Sequence, residues 1–534
     1  MEVDKVLTEL VNVSIELSGE KDTTLLLEKI LLTAKRLSNA DGGTIYGITE
    51  EEELKFDTLF NDTMNMYMGG SSGQPIPFDP IPIFVENKIN TGALVAHAAG
   101  TGRVINIADA YNVTEFDLSG PRKMDAKTGY RTQSVLAIPM TNHEGDLNGV
   151  LQLINATDGN GEVIPFADDI EESIRALASL AGVALTNRQL IDNMEGLFQS
   201  FIRLIAKAID EKSPYTGGHC RRVPELTMMI ADAVHRHENG PLAQFTMTKE
   251  DKYELNIAGW LHDCGKIATP EYVMDKSTKL ECVFDRVELV STRIELAIQQ
   301  TKAEALEAII AEPDANKHVA IRQQMETDIS ALNEARAFIE KANIGGEFMT
   351  PDDQQHVADI GKLTQVKIAG KQMPLLSDEE IYNLQVAKGT LNKEERAIIN
   401  RHMDITIEML ESLPFPKHLK RVPEFAGGHH EKMDGTGYPK GLTKEQMSVP
   451  ARMMAIADIF EALTASDRPY KPGKKISECL RIMGFMCKDK HIDEDIFKIF
   501  VEEEVYQEYA EKFLSSEQLD QIKVSDIPGY ADIP

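Results

Sequence analysis

The chain has 534 residues, which is too many for one hydrophobic core, so we expect several domains. Its formal net charge of -30 disfavours binding to nucleic-acid backbones and anionic membranes, although a small anionic ligand needs only a few local Arg or Lys side chains. No run approaches the roughly 18 apolar residues that cross a bilayer, and the N-terminus lacks a secretion signal. The five scattered cysteines exclude a disulfide scaffold. We therefore predict a cytoplasmic location.

The first part of the chain, residues 1–185, mixes helical and strand patterns and predicts an α+β domain. An amphipathic helix is expected over 20–40, with a strand over 43–48. The later elements are predicted as a loop over 49–80, a helix over 92–99, a short strand over 103–107 and a hairpin of 134–140 with 147–154.

A long helix is predicted over 169–210, and its part from 186 to 210 is expected to link two domains. Apolar residues alternate in steps of three and four along this linker: Ile191, Met194, Phe198, Phe201, Ile205 and Ala208. Such a seam can pair with a second copy of itself, which would make a homodimer. A single helix that packs one face on its own domain explains the pattern as well.

Two mostly helical segments, 211–280 and 389–480, carry the candidate functional groups. The segment between them, 281–388, is interpreted as an insertion that forms a helical hairpin from stretches near 284–311 and 318–343. The last residues, 491–534, are predicted to be an acidic helical tail.

Seven side chains in these two segments have the chemistry of metal ligands. Imidazoles and carboxylates suit iron, manganese or zinc, and two ions at a hydrolytic site need several ligands and a bridging carboxylate. The candidates are His219, His262, Asp263, His402, His429, His430 and Asp458, with Asp263 as the natural bridge. A lone histidine is more often structural, but a solitary acid in an apolar helix, as at Asp458, is costly unless it is paired or coordinated.

Three ordered motifs resemble those of HD-GYP phosphodiesterase domains: HDCGKIATP, HHEKMDGTGYPKGL and ADIFEALTASDRPYK. The resemblance implies an all-α HD-GYP domain over 211–490, into which 281–388 is inserted. It implies one metal ion at His219, His262, Asp263 and Asp458, and a second at Asp263, His402, His429 and His430. We expect iron or manganese at these sites.

The sequence departs from the family pattern at two places. Tyr215 stands where some members have a glutamate that helps to bind a third metal, so two ions are predicted. The segment ALTASDRPYK is one residue longer than usual, which blurs the assignment of the basic residues within it.

Two residues are predicted to be catalytic, namely Asp263 and Lys266. Two metal ions activate water for attack on a phosphodiester, and Lys266 would stabilise charge in the transition state or assist the leaving oxygen. The alternative for Lys266 is an ordinary surface lysine. The candidate substrate contacts are Gly437, Tyr438, Pro439, Arg452, Arg468 and Lys471, each of which is otherwise a turn or solvated residue.

Residues 20–190 resemble a GAF domain, on the segments DGGTIYGI, TGRVINIADAY and SVLAIPMTNHEGDLNGVLQLIN. The resemblance implies a sensor that binds a small molecule or dimerises. Its ligand stays open, and cyclic-nucleotide binding is only weakly supported because the NK…F…DE motif matches loosely.

The complete pattern is that of a multidomain protein: a GAF-like domain, a linker helix and an HD-GYP domain. It predicts a metal-dependent phosphodiesterase that hydrolyses a cyclic dinucleotide, with cyclic di-GMP favoured over a mixed GMP–AMP dinucleotide. A cyclase is a possible partner. The alternatives are a receptor or scaffold that binds the dinucleotide without turnover, and an HD phosphohydrolase for another nucleotide.

Overall fold

The computed structural model describes residues 11–530 apart from 18, 117, 119–121, 123–124, 127, 213–217, 347 and 467–472. The chain divides into two compact units, Met1–Phe198 and Gln199–Pro534. Within the described residues, no helix has both the length and the apolar character that a membrane span requires.

The N-terminal unit is built on an antiparallel sheet. Its elements are α1 (Thr23–Ser38), β1 (Ala40–Ile48), β2 (Glu53–Asn61), β3 (Met66–Gly69), β4 (Ile81–Pro82), β5 (Phe84–Val85), β6 (Lys88–Ile89), α2 (Leu94–Thr101), β7 (Ile105–Ile107), β8 (Val135–Thr141), β9 (Leu147–Thr157) and β10 (Val163–Ile164). The strand order is β3-β2-β1-β9-β8-β7, with β10 beside β9 and β4 beside β2. This architecture confirms the predicted α+β domain.

Strand β8 shows how the sheet separates two apolar layers. Leu136 and Ile138 pack on one face with α1 and the start of the long helix, whereas Val135 and Ala137 pack on the other face with α2. Side chains alternate along a strand, so one sequence supplies both layers. The predicted β8–β9 hairpin is confirmed, and the Asn142 side chain accepts the backbone N–H groups of Glu144 and Asp146 in its turn.

The loop predicted over 49–80 is wrong, because β2 and β3 lie within it. β2 pairs with β1 along nearly its whole length, from Leu54 to Asn61. Backbone pairing with a central strand stabilises this segment, although its charged residues conceal any apolar alternation.

The long helix α3 (Asp168–Lys212) has 45 residues and confirms the predicted helical segment. Its C-terminal part buries Ile202, Ala206 and Ile209 within the second unit. A separate stripe of apolar side chains is exposed along it: Leu190, Met194, Leu197, Phe201 and Leu204. The helix therefore packs one face on its own chain, as one interpretation had it. The exposed stripe shares only Met194 and Phe201 with the predicted seam, whose Phe198 is half-buried.

The C-terminal unit is mainly helical. Its first helices are α4 (His219–Arg236), α5 (Lys249–Leu261) and α6 (Glu271–Met274), with a 3-10 helix at Cys264–Ala268 after α5. After the insertion come α11 (Lys393–Asn400), α12 (His402–Glu411), α13 (Val422–Gly427), α14 (Val449–Thr464), α15 (Ile476–Lys488), α16 (Glu494–Glu502) and α17 (Val505–Phe513).

The insertion forms the predicted helical hairpin and more. It contains α7 (Val287–Ala311), α8 (Ala315–Asn343), α9 (Pro351–Lys362), β11 (Gln365–Ile368), β12 (Lys371–Pro374) and α10 (Asp378–Leu384). These elements share an apolar core of their own that includes Val290, Ile294, Leu332 and Ile339.

Backbone and side-chain contacts close the insertion at its base. Lys276 Nζ donates to both carboxylate oxygens of Glu395, at 2.7 and 2.8 Å. The fully buried Lys279 donates to the Leu384 carbonyl oxygen at 2.9 Å, and the backbone N–H of Leu280 donates to the Asn343 side chain at 2.8 Å.

The segment predicted as a tail packs into the core of the C-terminal unit. Phe497, Phe500 and Tyr509 are buried there, and the rings of Phe500 and Tyr509 contact the ring of Phe460. The exposed faces of α16 and α17 are acidic, so the overall composition of this segment is that of a charged helix. The sequence therefore indicated a tail.

Candidate metal centre

The seven predicted ligands come together in the C-terminal unit, mostly at helix ends. His219 is the first residue of α4, and His402 is the first residue of α12. His262 and Asp263 directly follow α5. His429 and His430 follow α13 in a turn, and Asp458 lies inside α14. Helix ends allow side chains from distant parts of the chain to converge on one point.

Asp263 lies between two groups of histidines. Its Oδ2 atom is 3.2 Å from His219 Nε2 and 3.3 Å from His262 Nε2. Its Oδ1 atom is 3.3 Å from His402 Nε2. The two oxygens of one carboxylate therefore face different sets of imidazoles, which is the geometry of a bridging ligand.

The remaining candidates complete the two groups. The potential ligand atoms of His402, His429 and His430 lie within 4.8 Å of one another. Asp458 Oδ1 is 3.4 Å from His219 Nε2, on the other side of Asp263. Both sets thus have the composition that the sequence predicted, while their role as ligands stays a prediction.

Hydrogen bonds to backbone carbonyl oxygens orient three of the histidines. Nδ1 of His262 donates to Gly259 at 2.7 Å, Nδ1 of His402 to Ile399 at 2.5 Å, and Nδ1 of His429 to Ala426 at 2.7 Å. Because a carbonyl oxygen only accepts, each ring carries its proton on Nδ1 and turns the Nε2 lone pair toward the centre.

Several buried polar atoms at this point have no hydrogen-bond partner among the described residues. They are Nε2 of His402, Nε2 of His429 and Oδ1 of Asp263. An unpaired buried acceptor is costly, and the carbonyl-bound imidazoles are in the tautomer that metal ligation needs. The donor set therefore fits divalent metal ions.

Burial keeps the two adjacent histidines neutral. It is the main cause that holds the pKa of His429 well below its usual range, with a further contribution from His262. Burial likewise lowers the pKa of His430, and the neighbouring His429 adds to the effect. Neutral imidazole is the form that binds a metal ion.

Glu461 is a candidate functional residue that the sequence did not reveal. Its carboxylate accepts from His219 Nδ1 at 2.5 Å and from Arg222 Nε at 2.7 Å. Burial opposes the charge, but His219 and Arg222 outweigh it and hold the pKa of Glu461 at about 2. The available signal was spacing, because Glu461 lies three residues after Asp458 on the same face of a helix. Glu461 therefore orients the imidazole of His219.

Lys266 lies in the 3-10 helix, three residues after Asp263. Its Nζ is 2.5 Å from Asp263 Oδ2. Burial disfavours the ammonium charge, but the carboxylates of Asp263 and Asp458 outweigh it and raise the pKa of Lys266. From the sequence, Lys266 was predicted to reach the site because it lies one α-helical turn after His262. In the structure it lies in a 3-10 helix, whose three residues per turn place it on the same side as Asp263.

Gly265 lets this segment approach α12 closely. A Cβ atom at position 265 would lie 2.0 Å from the His402 carbonyl oxygen, which is far inside van der Waals contact. The backbone N–H of Gly265 donates to Thr406 Oγ1 at 2.9 Å. The glycine of the HDCGK motif thus permits close packing of the two segments that carry Asp263 and His402.

The predicted GYP loop borders the centre. The Tyr438 ring stacks on His430, with ring centroids 4.8 Å apart and an interplanar angle of 18°. A Cβ atom on Gly437 would lie 2.4 Å from the Lys432 backbone nitrogen, so the turn needs glycine. Pro439 follows Tyr438 through a cis peptide bond.

The other predicted substrate contacts do not gain this support. The Arg452 guanidinium pairs with the buried Asp493, so its charge is already balanced within the fold, and its role as a substrate contact stays a prediction. Arg468 and Lys471 lie outside the described residues, as does Tyr215. A cavity of about 300 Å³ instead brings Lys474 and His491 beside His430 and Asp458.

A second cavity, of about 540 Å³, lies in the N-terminal unit. Aromatic and aliphatic side chains line most of it, including Tyr46, Phe56, Phe78 and Leu94. The carboxylate of Asp125 at this cavity already accepts from the Tyr111 hydroxyl and from the backbone N–H of Thr132. Among the described lining residues there is no Lys, Arg or His.

Models of known protein families match both the N-terminal and the C-terminal part of the chain. A GAF domain model matches residues 22–185, and an HD domain model matches residues 363–496. The HD match contains His402, His429, His430 and Asp458. It begins at residue 363, so it includes the last part of the predicted insertion and leaves out the HDCGK segment, and the bounds of the insertion stay a prediction.

Curated relatives align over short stretches. A 3'3'-cGAMP-specific phosphodiesterase of Vibrio cholerae is 35% identical over 27% of this chain and 29% of its own length. A cyclic di-GMP phosphodiesterase of Pseudomonas aeruginosa is 40% identical over 21% of this chain and 26% of its own. A cGMP-specific 3',5'-cyclic phosphodiesterase of Drosophila sechellia is 29% identical over 33% and 14%. The chain spans less than a third of the length of each relative.

The family models and the relatives together show that the chain combines an N-terminal GAF domain with a helical HD domain similar to those of cyclic-nucleotide phosphodiesterases.

Proposed function

We propose that the C-terminal unit hydrolyses a phosphodiester bond of a cyclic dinucleotide, with cyclic di-GMP as the favoured substrate. The observation that carries this proposal is the Asp263 carboxylate, whose two oxygens face two sets of imidazoles. The names of the bacterial relatives support the substrate class.

Two divalent ions, iron or manganese, would be held by Asp263 and the six other predicted ligands around it. When bound, they would supply Lewis acidity and activate water near neutral pH. Zinc is disfavoured, since it usually takes four ligands. Within the chain, Lys266 holds a positive charge against Asp263, and Glu461 fixes the proton of His219 on Nδ1. The Tyr438 ring restricts the space in front of His430.

Turnover with identified products tests this function. Metal-loaded protein is expected to cleave cyclic di-GMP faster than 3'3'-cGAMP and much faster than cGMP. Chromatography of the products will separate a linear dinucleotide from mononucleotides. Tight binding of cyclic di-GMP without cleavage would favour a receptor or scaffold, while preferred cleavage of a mononucleotide would favour another HD phosphohydrolase.

We also propose that α3 pairs with its counterpart in a second copy of the chain. The exposed stripe from Leu190 to Leu204 repeats in steps of four and three, which is the spacing of a two-stranded coiled coil. Met194 and Phe201 are 70% and 55% exposed in the single chain, so pairing would remove large apolar surface from water.

Substituting Met194 and Phe201 together by glutamate is expected to break the dimer, because it places like charges in an apolar seam. The dimer dissociation constant should rise by about 100-fold or more, as each tenfold needs only about 1.4 kcal/mol. Light scattering across a concentration series measures it. Gln189→Glu, exposed and off the stripe, is the matched control; a wild-type monomer at micromolar concentration would contradict the pairing.

The GAF domain is proposed to regulate the enzyme through a small uncharged ligand in its cavity. The apolar and aromatic lining favours a neutral, partly aromatic molecule over an anionic cyclic nucleotide.

Such a ligand is expected to raise the melting temperature of the protein, since saturation at about 100 times its Kd adds about 2.7 kcal/mol of stability. Thermal unfolding with a panel of neutral aromatic compounds and cyclic mononucleotides measures this effect. Leu94→Trp, which fills the cavity, should abolish it. A response to cyclic mononucleotides alone would contradict the proposed ligand class.

A further inference from the structure

A basic cleft lies where the insertion rejoins the HD domain. It has a volume of about 520 Å³, and its lining includes Tyr382, Gln385, Lys388, Leu391, Lys393 and Arg396. Three of its lining residues are cations and none is a carboxylate, on a chain whose net charge is -30. The cleft is therefore an unusual positive surface on this protein.

Acidic side chains close to the cleft are already engaged. The Glu394 carboxylate accepts from the Tyr382 hydroxyl at 2.7 Å. Glu395 pairs with the buried Lys276 and accepts the Asn392 backbone N–H. Among the residues that the structure describes, no carboxylate forms an ion pair with Lys388, Lys393 or Arg396. The charges of Lys388 and Arg396 remain available to an anion.

One helix connects this cleft to the metal centre. Arg396 and Ile399 both lie in α11, three residues apart and therefore on the same face. The Ile399 carbonyl oxygen accepts the Nδ1–H of His402. Arg396 thus lies about 4.5 Å along the helix axis from the residue that orients a candidate ligand.

The charge of Arg396 also reaches Tyr438. Burial, together with the carboxylates of Asp458 and Asp263, raises the pKa of the Tyr438 phenol, and Arg396 opposes this rise. The Tyr438 ring stacks on His430. The geometric link between the cleft and the metal centre is α11, which carries Arg396 and ends at Asn400, two residues before His402.

We infer that this cleft binds the second, non-reacting phosphodiester of the substrate, with Arg396 and Lys388 as its anion contacts. The inference rests on the proposed function. A cyclic dinucleotide carries two phosphodiesters, and only one can occupy the metal centre at a time. Arg offers a planar fork of donors that matches phosphate oxygens, and Lys adds a point charge. The insertion, through Lys388 and Tyr382, would then set the preference for dinucleotides over smaller phosphodiesters.

The test compares two substrates in the full-length, metal-loaded protein: cyclic di-GMP and bis(p-nitrophenyl) phosphate, which has a single phosphodiester. In the variant Arg396→Gln/Lys388→Gln, KM for cyclic di-GMP should rise about tenfold, while kcat changes by less than about twofold. The ratio of kcat/KM for the two substrates should fall by about the same factor. Wild-type KM for the dinucleotide should also rise more steeply with salt than that of the variant.

Arg322→Gln, which removes an exposed charge from the helical hairpin outside the cleft, is the matched control and should retain the wild-type ratio. If the wild type cleaves cyclic di-GMP and the variant keeps the ratio, the cleft is not a subsite. An equal rise of KM for both substrates would also overturn the inference, because Arg396 would then act on the metal centre. If the wild type cleaves only bis(p-nitrophenyl) phosphate, the proposed function itself fails, and the inference fails with it.

Discussion

The variant Asp263→Ala is expected to lose both metal ions and to lower turnover by about 10³-fold or more, because it removes the carboxylate that faces both sets of imidazoles. With that carboxylate gone, the imidazoles on its two sides no longer share a negative charge. Lys266 would lose its ion-pair partner as well, and its charge would then repel a cation. Elemental analysis and steady-state kinetics measure the two losses.

A matched control for this variant is Asp404→Ala, which removes an exposed aspartate from the helix that begins at His402. It should keep wild-type metal content and activity. Circular dichroism and thermal unfolding distinguish loss of metal from loss of fold. A metal content that stays at two ions per chain in Asp263→Ala would show that Asp263 is not the bridge.

Replacing Lys266 by methionine is expected to lower kcat by about 10²- to 10³-fold while the protein retains its metal ions. Methionine keeps much of the length of the side chain but removes the positive charge that lies 2.5 Å from Asp263 Oδ2. The combination of lost turnover and retained metal separates this role from that of Asp263.

Two companion variants sharpen this test. Lys266→Arg restores the charge and should recover part of the activity. Lys249→Met removes an exposed lysine at the start of α5 and should behave as the wild type. If kcat of Lys266→Met equals that of the wild type, Lys266 is a structural partner of Asp263 and not a catalytic group.

The sequence predicted the candidate centre well because its signals are local and chemically unusual. Adjacent pairs such as His262–Asp263 and His429–His430 concentrate ligand atoms that rarely occur together by chance. Glu461 was missed although it lies in the same apolar helix as Asp458, because the sequence does not show which groups a buried acid faces. Its role depends on His219, which is 242 residues away in the chain.

The fold was predictable to a similar extent and for similar reasons. The β8–β9 hairpin and α3 carry strong periodic patterns, and both are present. Strand β2 was missed because pairing with β1 stabilises it, and no local pattern records that pairing. Arg452 was assigned to the substrate because Arg often binds phosphate, but its partner Asp493 lies 41 residues later and is visible only in the folded chain.

The contacts at the base of the insertion have a consequence for the order in which the chain can fold. They are nested: Leu280–Asn343 spans 63 residues, Lys279–Leu384 spans 105, Lys276–Glu395 spans 119, and Gly265–Thr406 spans 141. The entropy lost on closing a loop grows with its length, and each inner contact shortens the free chain that the next one must close. The α7–α8 hairpin can therefore form first and draw Asp263 and His402 together by successive short closures. A long segment between the two halves of the candidate centre would in this way add little loop-closure entropy to its assembly.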